Sequence, residues 1–387
     1  MKNTKILKTA MAGILALVCS LGVVGCQPPA QTPYTPIILT NVEGKAKNVI
    51  LLIGDGMGKE HVKVGAIHKG EQLVMQGFPY CVDMETVNYS GGVTDSAAAA
   101  TAMATGVRTT NSYVGLDRNQ EELETIIDIA AKAGKATGVI TTEYLYGATP
   151  MGFSAHYNDR DRQPMLLDSA LSSSNVNLFI SDRFGTYRNK FEENGYRLIL
   201  NEADKISEAS ETKVAALSKI NPLAASMSDD PADVAFDRLV TEALEYLAKD
   251  PDGFFLMAEG AHIDHGGHAN DISYMLRELI SFDDGIKAVL KWAKDRNDTV
   301  VIVTADHETG GLNTKEGLTK DNILSMVSLD GGMTYAHEFL EWTSKSHTDR
   351  DVYCYVNGAD VDFSQYSFES NARIKNTDLF EIMKSFI

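Results

Sequence analysis

The sequence predicts an α/β fold: a three-layer α/β/α sandwich with a large, mostly parallel central sheet. Two observations carry this prediction. Four apolar runs rich in β-branched and aromatic residues have the character of strands buried on both faces. They occupy residues 47–55, 136–142, 254–259 and 299–306. Amphipathic segments with helical spacing alternate with these runs, as in parallel sheets covered by helices. They occupy residues 121–133, 232–248 and 271–294.

Composition limits the classes of function. The chain has 387 residues, of which 44% are apolar, so it can bury a deep core and is not a disordered chain. Its 53 acidic residues outnumber 35 Lys and Arg, which gives a net charge of −18. Such a surface repels phosphate backbones and argues against a general nucleic-acid binder. The net negative charge still permits a small anionic substrate to bind in a locally positive site.

The N-terminus has the pattern of an export signal. Lys2, Lys5 and Lys8 precede an uncharged stretch that is short for a membrane-spanning helix. The stretch ends in Val-Val-Gly-Cys, which resembles a bacterial lipobox with Cys26 as the lipidated residue. We expect residues 1–25 to be a lipoprotein signal peptide, and an ordinary signal peptide or a membrane anchor is the alternative. Export to the bacterial cell envelope follows, with the protein on the periplasmic or extracellular side of the membrane.

The segment after the signal is proline-rich. Residues 27–46 contain four of the ten prolines in the chain, which is typical of an extended spacer. We therefore expect a tether at 26–46 and a catalytic domain at 47–387. Once Cys19 and Cys26 are assigned to signal and lipid, two cysteines remain, too few for a disulfide framework. Whether Cys81 and Cys354 pair stays open.

Acidic residues end three of the four predicted strands. These are Asp55, Glu259 and Asp306, and the fourth strand leads into a loop containing Thr149. Ligands of open α/β sheets bind beyond the carboxyl ends of the strands. Carboxylates gathered at that edge repel one another unless a cation lies among them. The sequence therefore predicts a metal site there.

Two turns beside the predicted strands have both structural and functional interpretations. Gly54-Asp55-Gly56-Met57-Gly58 is a tight turn around an acid, and taken alone it is better explained as a plain strand-to-helix turn. Thr94-Asp95-Ser96 opens an alanine-rich helix that stops at Gly106. A serine in the first turn meets backbone N–H groups that favour an alkoxide or a phosphate. Simple capping by Asp95 or Ser96 is the alternative.

Histidines cluster in one short segment. Residues 259–268 contain three histidines, and Asp264 and His268 are four apart, so one helical turn directs both toward one point. A carboxylate and an imidazole together are typical zinc ligands. The alternative is that this segment is a solvated polar loop. Asp306 and His307 are adjacent after a strand, where glycines permit a bend. His347 and Arg160, taken alone, are typical of surface residues.

Together these segments resemble the alkaline phosphatase family. The matching elements occur in the family's order and span residues 47 to 347. They are Asp-Gly-Met-Gly, Thr-Asp-Ser-Ala-Ala-Ala-Ala-Thr-Ala, Ala-Thr-Pro with a following Arg, Glu-Gly-Ala-His-Ile-Asp-His-Gly-Gly-His, Thr-Ala-Asp-His-Glu-Thr-Gly-Gly, and a late His-Thr.

The resemblance implies two zinc ions and one magnesium ion per chain. The implied ligands are Asp264, His268 and His347 for one zinc, Asp55, Asp306 and His307 for the second, and Asp55, Thr149 and Glu259 for the third metal. It also implies a nucleophile, Ser96, that takes the phosphoryl group from small phosphate monoesters. Arg160 would hold phosphate oxygens, Asp95 would orient Arg160, and His265 would contribute to substrate binding.

The sequence also departs from the family's pattern. The position two before Thr149 is Asp in some members and His in others, but here it is Gly147. His265 occupies a position that is Lys in some members. Residues 311–335 form a brief stretch where larger members carry an accessory region, so the family's common homodimer is left open. A phosphodiesterase or sulfatase of the same superfamily, or a non-catalytic surface lipoprotein that captures zinc or phosphate, are the rival functions.

Overall fold

The computed structural model describes residues 34–173, 175–182, 187–221, 233–327, 338–366 and 373–387. The predicted signal peptide with Cys26 lies outside these residues. The described strands are β1 Asn48–Gly54, β2 Tyr80–Glu85, β3 Ala136–Tyr144, β4 Leu178–Asp182, β5 Arg197–Leu200, β6 Val214–Leu217, β7 Lys219–Ile220, β8 Asp233–Val234, β9 Phe254–Gly260, β10 Thr299–Thr304, β11 Glu308–Thr309, β12 Leu312–Thr314, β13 Leu340–Trp342, β14 His347–Thr348, β15 Val352–Asn357 and β16 Arg373–Lys375.

The described helices alternate with these strands. They are α1 Lys59–Lys69, α2 Ser96–Thr105, α3 Ile126–Lys132, α4 Ala148–Ser154, α5 Gln163–Ser173, α6 Arg188–Glu193, α7 Asp204–Glu208, α8 Phe236–Leu247, α9 His262–Ala269, α10 Ile272–Ala293, α11 Lys320–Met326 and α12 Asn376–Phe386. Two short 3₁₀ helices, Val74–Gly77 and Phe363–Gln365, complete the set.

One ten-stranded sheet organises the described residues, in the order β16-β2-β15-β10-β1-β9-β3-β4-β6-β5. Only β15 runs antiparallel to its neighbours in this sheet. Every residue of β1, β9 and β10 is buried, because helices cover both faces of the sheet. The predicted α/β sandwich with a mostly parallel sheet is confirmed.

The register of the central strands sets the position of the site. Ile53 of β1 pairs with Glu259 of β9 and with Thr304 of β10, so the three strands end at one level. The backbone N–H of Asp55 donates to the carbonyl of Gly260 at 3.1 Å, which extends this alignment beyond β1. The acidic residues that follow the strands therefore share one edge of the sheet.

One predicted helix is shorter than its apolar pattern. The sequence predicts a helix over 121–133, but α3 begins at Ile126. The Thr125 hydroxyl accepts the backbone N–H of Asp128, and the Asp128 carboxylate accepts that of Thr125. This capping box starts the helix at that point. Local capping therefore overrides the apolar spacing of the residues before it.

The described part of the predicted tether, residues 34–46, packs on the domain. The side chain of Leu39 is 3% exposed, and its backbone N–H donates to Asn357 Oδ1 at 2.9 Å. The backbone N–H of Ala46 donates to the carbonyl of Phe386 at 2.8 Å. A free spacer can therefore extend only over residues before 34, which lie outside the described ones.

Two further features concern anchoring and redox chemistry. No described helix is both long and apolar enough to cross a bilayer. Cys81 on β2 and Cys354 on β15 are free thiols. Burial raises the pKa of Cys81 to about 11, so this thiol has little thiolate character at neutral pH.

Candidate active site

The first group of ligands lies where β1 and β10 end. His307 Nε2 is 3.2 Å from Asp306 Oδ2 and 3.6 Å from Asp55 Oδ1. Asp306 Oδ1 accepts the backbone N–H groups of Gly56 and His307, so its other oxygen faces the group. Asp306 Oδ2 and Asp55 Oδ1 are buried and have no hydrogen-bond partner among the described residues. These three side chains could hold a metal ion, as predicted.

The turn after β1 lets a second element approach closely. Gly56 adopts a φ of +70°, which favours glycine. A Cβ on Gly56 would lie 2.7 Å from the Cα of Asp264. The absence of a side chain at this position therefore allows α9 to pack directly on the turn that holds Asp55.

The second group combines α9 with a distant strand. Asp264 Oδ2 is 3.3 Å from His268 Nε2, across the predicted helical turn, and Asp264 Oδ1 is 3.6 Å from His347 Nε2. His347 reaches the site because β14 pairs with β11, with His347 opposite Thr309. The rings of His307 and His347 stack with their centroids 3.6 Å apart, so the two groups adjoin.

Backbone carbonyls orient two of these histidines. His268 Nδ1 donates to the carbonyl of Lys345 at 2.6 Å, and His347 Nδ1 donates to that of Thr94 at 3.0 Å. A carbonyl only accepts, so the proton of each neutral ring is on Nδ1 and the Nε2 lone pair faces the site. The two Nε2 atoms lie 3.2 Å apart. Facing lone pairs at this distance fit a shared cation.

The third group is built on β9 and α4. Thr149 Oγ1 and Glu259 Oε1 are buried without a hydrogen-bond partner among the described side chains and backbone. The other oxygen of Glu259, Oε2, accepts the hydroxyl of Thr141. Unpaired buried oxygens are costly in a folded protein, and hard oxygen ligands suit magnesium. Thr149 and Glu259 therefore fit the implied third metal.

Burial and mutual repulsion perturb the carboxylates strongly. Burial raises the pKa of Asp55, and the charge of Asp306 raises it further. Burial likewise raises the pKa of Glu259, and that of Asp306 to about 7. In contrast, the hydrogen bond to Asp264 raises the pKa of His268 to about 9. Carboxylates of this kind ionise readily only when positive charge enters the site.

The predicted nucleophile faces this cluster. Ser96 is the first residue of α2, its side chain is buried, and its Oγ lies 3.1 Å from His307 Nε2. At this position the N-terminal N–H groups of the helix favour negative charge. The hydroxyl therefore lies beside the Asp55, Asp306 and His307 group.

Asp95 both caps α2 and positions Arg160. Its Oδ1 accepts the backbone N–H of Ala98 at 2.9 Å, which caps α2. Its Oδ2 accepts the backbone N–H of Ser112 at 2.9 Å and Nη1 of Arg160 at 3.3 Å. Both interpretations offered by the sequence thus hold for one carboxylate. Asp95 directs Arg160 from the residue that immediately precedes Ser96.

Not every predicted residue joins the cluster. His265 on α9 is exposed, and its ring packs against that of His262 with centroids 4.8 Å apart. Sequence reasoning also missed two residues. The Thr309 hydroxyl donates to Asp264 Oδ1 and lies 3.2 Å from His307 Nδ1, which links the two zinc-type groups. Glu143, at the end of β3, interacts electrostatically with Arg160, Asp264 and Asp306. Its only sequence signal is its position four residues before the unusual Gly147.

Comparison with known proteins decides the family. The alkaline phosphatase family pattern matches residues 46–180 and 181–385, nearly all of the described chain. The chain belongs to the alkaline phosphatase family. Alkaline phosphatase 3 of Bacillus subtilis is 31% identical over 291 residues, which cover 70% of this chain and 62% of that relative. Alkaline phosphatase of Escherichia coli is 28% identical over 355 residues, which cover 70% of this chain and 75% of that relative.

Solved alkaline phosphatase structures share the fold. The enzyme of the Antarctic bacterium TAB5 superposes with a TM-score of 0.71 at 26% identity, over 89% of this chain and 98% of that one. The Thermus thermophilus alkaline phosphatase superposes with a TM-score of 0.75 at 17% identity, over 94% and 96%, and supports the fold alone. The chain spans 62% and 63% of the two Bacillus subtilis relatives it matches, somewhat less than two thirds of their lengths.

Proposed function

We propose that this protein is a metal-dependent phosphomonoesterase that releases inorganic phosphate through a covalent phosphoserine at Ser96. One observation carries the proposal: Ser96 Oγ lies 3.1 Å from His307 Nε2, inside the group of prospective metal ligands. A capping serine alone has no reason to face three groups of unpaired carboxylates and imidazoles. Family membership supports the phosphatase assignment.

We further propose two zinc ions and one magnesium ion per chain. Asp264, His268 and His347 would hold one zinc, with nitrogen and oxygen donors typical of that metal. Asp55, Asp306 and His307 would hold the other. Thr149 and Glu259, with Asp55, would hold magnesium, and a mutant of the TAB5 enzyme has magnesium in its M3 site. When bound, such ions lower the pKa of a hydroxyl group and offset charge on a transferring phosphoryl group.

The chain's own residues account for the transfer itself. Arg160, held by Asp95, donates its N–H groups to two phosphate oxygens and orients phosphorus toward Ser96. Ser96 Oγ bonds to phosphorus while the ester P–O bond breaks, and the leaving alcohol takes up the proton that Ser96 loses. Water then displaces Ser96 from phosphorus, which frees the serine and inorganic phosphate. The N–H groups at the start of α2 stabilise the charged oxygens.

The direct test measures phosphate release from an aryl phosphate by purified protein, with and without a chelator. We expect metal-dependent release that falls at least a thousandfold in Ser96→Ala, because the nucleophile is gone. Ser172→Ala, which alters an exposed serine on α5, is the matched control. Mass spectrometry after quenching at mildly acidic pH should detect phosphate on Ser96. Full activity in Ser96→Ala, or phosphate release that the chelator does not reduce, would overturn the proposal.

Two rival functions remain distinguishable. A phosphodiesterase or sulfatase of the same superfamily would share the metal groups. Arg160 and the Thr149–Glu259 group instead suit a phosphoryl group with three free oxygens. Rates on the monoester and diester of one leaving group decide between them, and a faster diester would reverse the assignment. A metal-capturing lipoprotein without catalysis would retain metal ions but never form phosphoserine.

We also propose that the protein is anchored in the cell envelope through a lipid on Cys26. Two sequence features support this proposal, the basic N-terminus and the Val-Val-Gly-Cys sequence. In bacteria expressing the full chain, Cys26→Ala should shift the protein from the membrane fraction to the soluble fraction, whereas Cys81→Ala should not. An unchanged distribution would rule out the lipid anchor.

A further inference from the structure

Glycine at position 147 is unusual because its backbone does not require glycine. Gly147 precedes α4 with φ −55° and ψ 155°, values that other residues also adopt. What a side chain would meet is another carboxylate. A Cβ at this position would lie 1.9 Å from Glu143 Oε1 and 2.7 Å from Glu143 Cδ. The carboxyl group of Glu143 therefore occupies the space where a side chain at position 147 would begin.

The end of β3 directs Glu143 to this place. The pairing of β3 with β4 shifts register between Ile140 and Tyr144, and such irregularities redirect side chains next to active sites. The Thr141 hydroxyl accepts the backbone N–H of Glu143 at 3.2 Å and donates to Glu259 Oε2. One threonine thus links the backbone of Glu143 to the carboxylate of the third metal group.

Electrostatic interactions link Glu143 to that group. Its carboxylate interacts electrostatically with Glu259 and Asp55, which it repels, and with Arg160, which it attracts. Glu143, Gly147 and Arg160 line one surface pocket. A further carboxylate beside Asp55 and Glu259 is unfavourable in a protein without bound cations, and it strengthens the binding of a divalent cation.

We propose that Glu143 supplies, from four residues earlier in the chain, the negative charge that some family members carry on an Asp at the position of Gly147. In this role it completes the third cation site with Thr149 and Glu259 and attracts Arg160 toward that site. Glu143 is thus a positioning residue for the proposed phosphatase reaction. The inference rests on the proposed function, but its test needs no substrate.

The test measures magnesium affinity by isothermal titration calorimetry of the zinc-loaded protein. Glu143→Gln keeps the shape and removes the charge, and we expect it to weaken magnesium binding about tenfold or more, as loss of a metal-site partner does. Zinc content should stay unchanged. Glu245→Gln, which alters an exposed glutamate on α8, is the matched control and should bind magnesium as the parent does.

A double variant that moves the carboxylate from position 143 to position 147 provides the decisive test. In Glu143→Ala/Gly147→Asp the clash with Glu143 is gone, and the charge returns to the family's position. We expect this double variant to recover magnesium affinity to within about threefold of the parent, whereas Glu143→Ala alone does not. Gly147→Ala in the parent should weaken binding, because its Cβ displaces the Glu143 carboxylate.

Each outcome is decisive. Unchanged magnesium affinity in Glu143→Gln, no recovery in the double variant, or a zinc-loaded parent that binds no magnesium would each overturn the inference. Phosphate release is scored separately. A parent that binds magnesium through Glu143 but hydrolyses no phosphate monoester would contradict the proposed function and leave the role of Glu143 intact.

Discussion

His268 Nε2 lies 3.2 Å from His347 Nε2, although 79 residues separate these histidines in the chain. Each ring donates its Nδ1 proton to a backbone carbonyl, so both Nε2 atoms point at the same space. Without a metal ion, the hydrogen bond to Asp264 raises the pKa of His268 to about 9, so a proton on His268 Nε2 lies in this space. The proposed zinc ion, with Asp264 as a third ligand, would replace that proton.

The first prediction concerns this cation. His268→Ala should reduce the zinc content by about one ion per chain, because three protein ligands are typical of such a site. His265→Ala removes a histidine from the same helix, but one that is exposed, and should retain the zinc of the parent. Elemental analysis after gel filtration measures both. Equal zinc loss in the two variants would contradict the assignment of ligands on α9.

The second prediction concerns the pH dependence of the metal-free protein. Burial raises the pKa of Asp306 from 3.8 to about 7. Between these values the folded protein holds a proton that the unfolded chain has released, so the contribution of Asp306 to stability falls as pH rises. Asp306→Asn removes this penalty. In chelator-treated samples, the unfolding free energy of the variant should rise relative to that of the parent by about 4 kcal/mol between pH 4 and pH 8.

Urea unfolding at several pH values measures this difference. The comparison of two proteins at each pH cancels titratable groups remote from residue 306, so the difference reports Asp306 together with its neighbours Asp55 and His307. A gap in unfolding free energy that stays constant, or that narrows as pH rises, would show that Asp306 is ionised without metal.

The third prediction concerns the guanidinium of Arg160. Lysine keeps the charge at this position but loses the planar pair of donors that fits two phosphate oxygens. Arg160→Lys should lower kcat/KM for an aryl phosphate about 10- to 100-fold, equivalent to one or two charge-assisted hydrogen bonds. Arg162→Lys, at an arginine that pairs with Asp159 and is 69% exposed, is the control. Equal effects of the two substitutions would show that the reaction does not depend on the planar donors of Arg160.

The fourth prediction separates backbone strain from crowding. Gly56 and Gly44 have φ values of +70° and +79°, so alanine at either costs about 1 kcal/mol of backbone strain. At Gly44 nothing lies within 4 Å of the new Cβ, whereas at Gly56 the Asp264 backbone lies 2.7 Å away. Gly56→Ala should therefore cost about 1–3 kcal/mol more than Gly44→Ala.

Gly56→Ala should also lower the zinc content, because the added methyl group moves Asp264 and His268 away from Asp55. Thermal unfolding and elemental analysis of both variants provide the measurements. If the two variants unfold alike and bind zinc alike, α9 does not depend on the close approach at Gly56.

The sequence alone determined the strands and the metal-binding edge. Runs such as 299–306 are dominated by β-branched residues, which in a chain of this size leaves a doubly covered strand as the favourable structure. Parallel strands end at one edge, so Asp55, Glu259 and Asp306 had to converge once their strands paired. The spacing of Asp264 and His268 already implied a shared direction, since four residues make about one helical turn.

Only the tertiary structure decided which distant or unremarkable residues complete the site. His347 joins it through the pairing of β14 with β11, a contact that no local pattern encodes. Glu143 enters it because the end of β3 directs its side chain into the space above Gly147. Residues 34–46 dock on the domain through hydrogen bonds to chain-distant partners. Local sequence sets backbone preference and apolar spacing, but side-chain direction and non-local pairing depend on the packing of the whole chain.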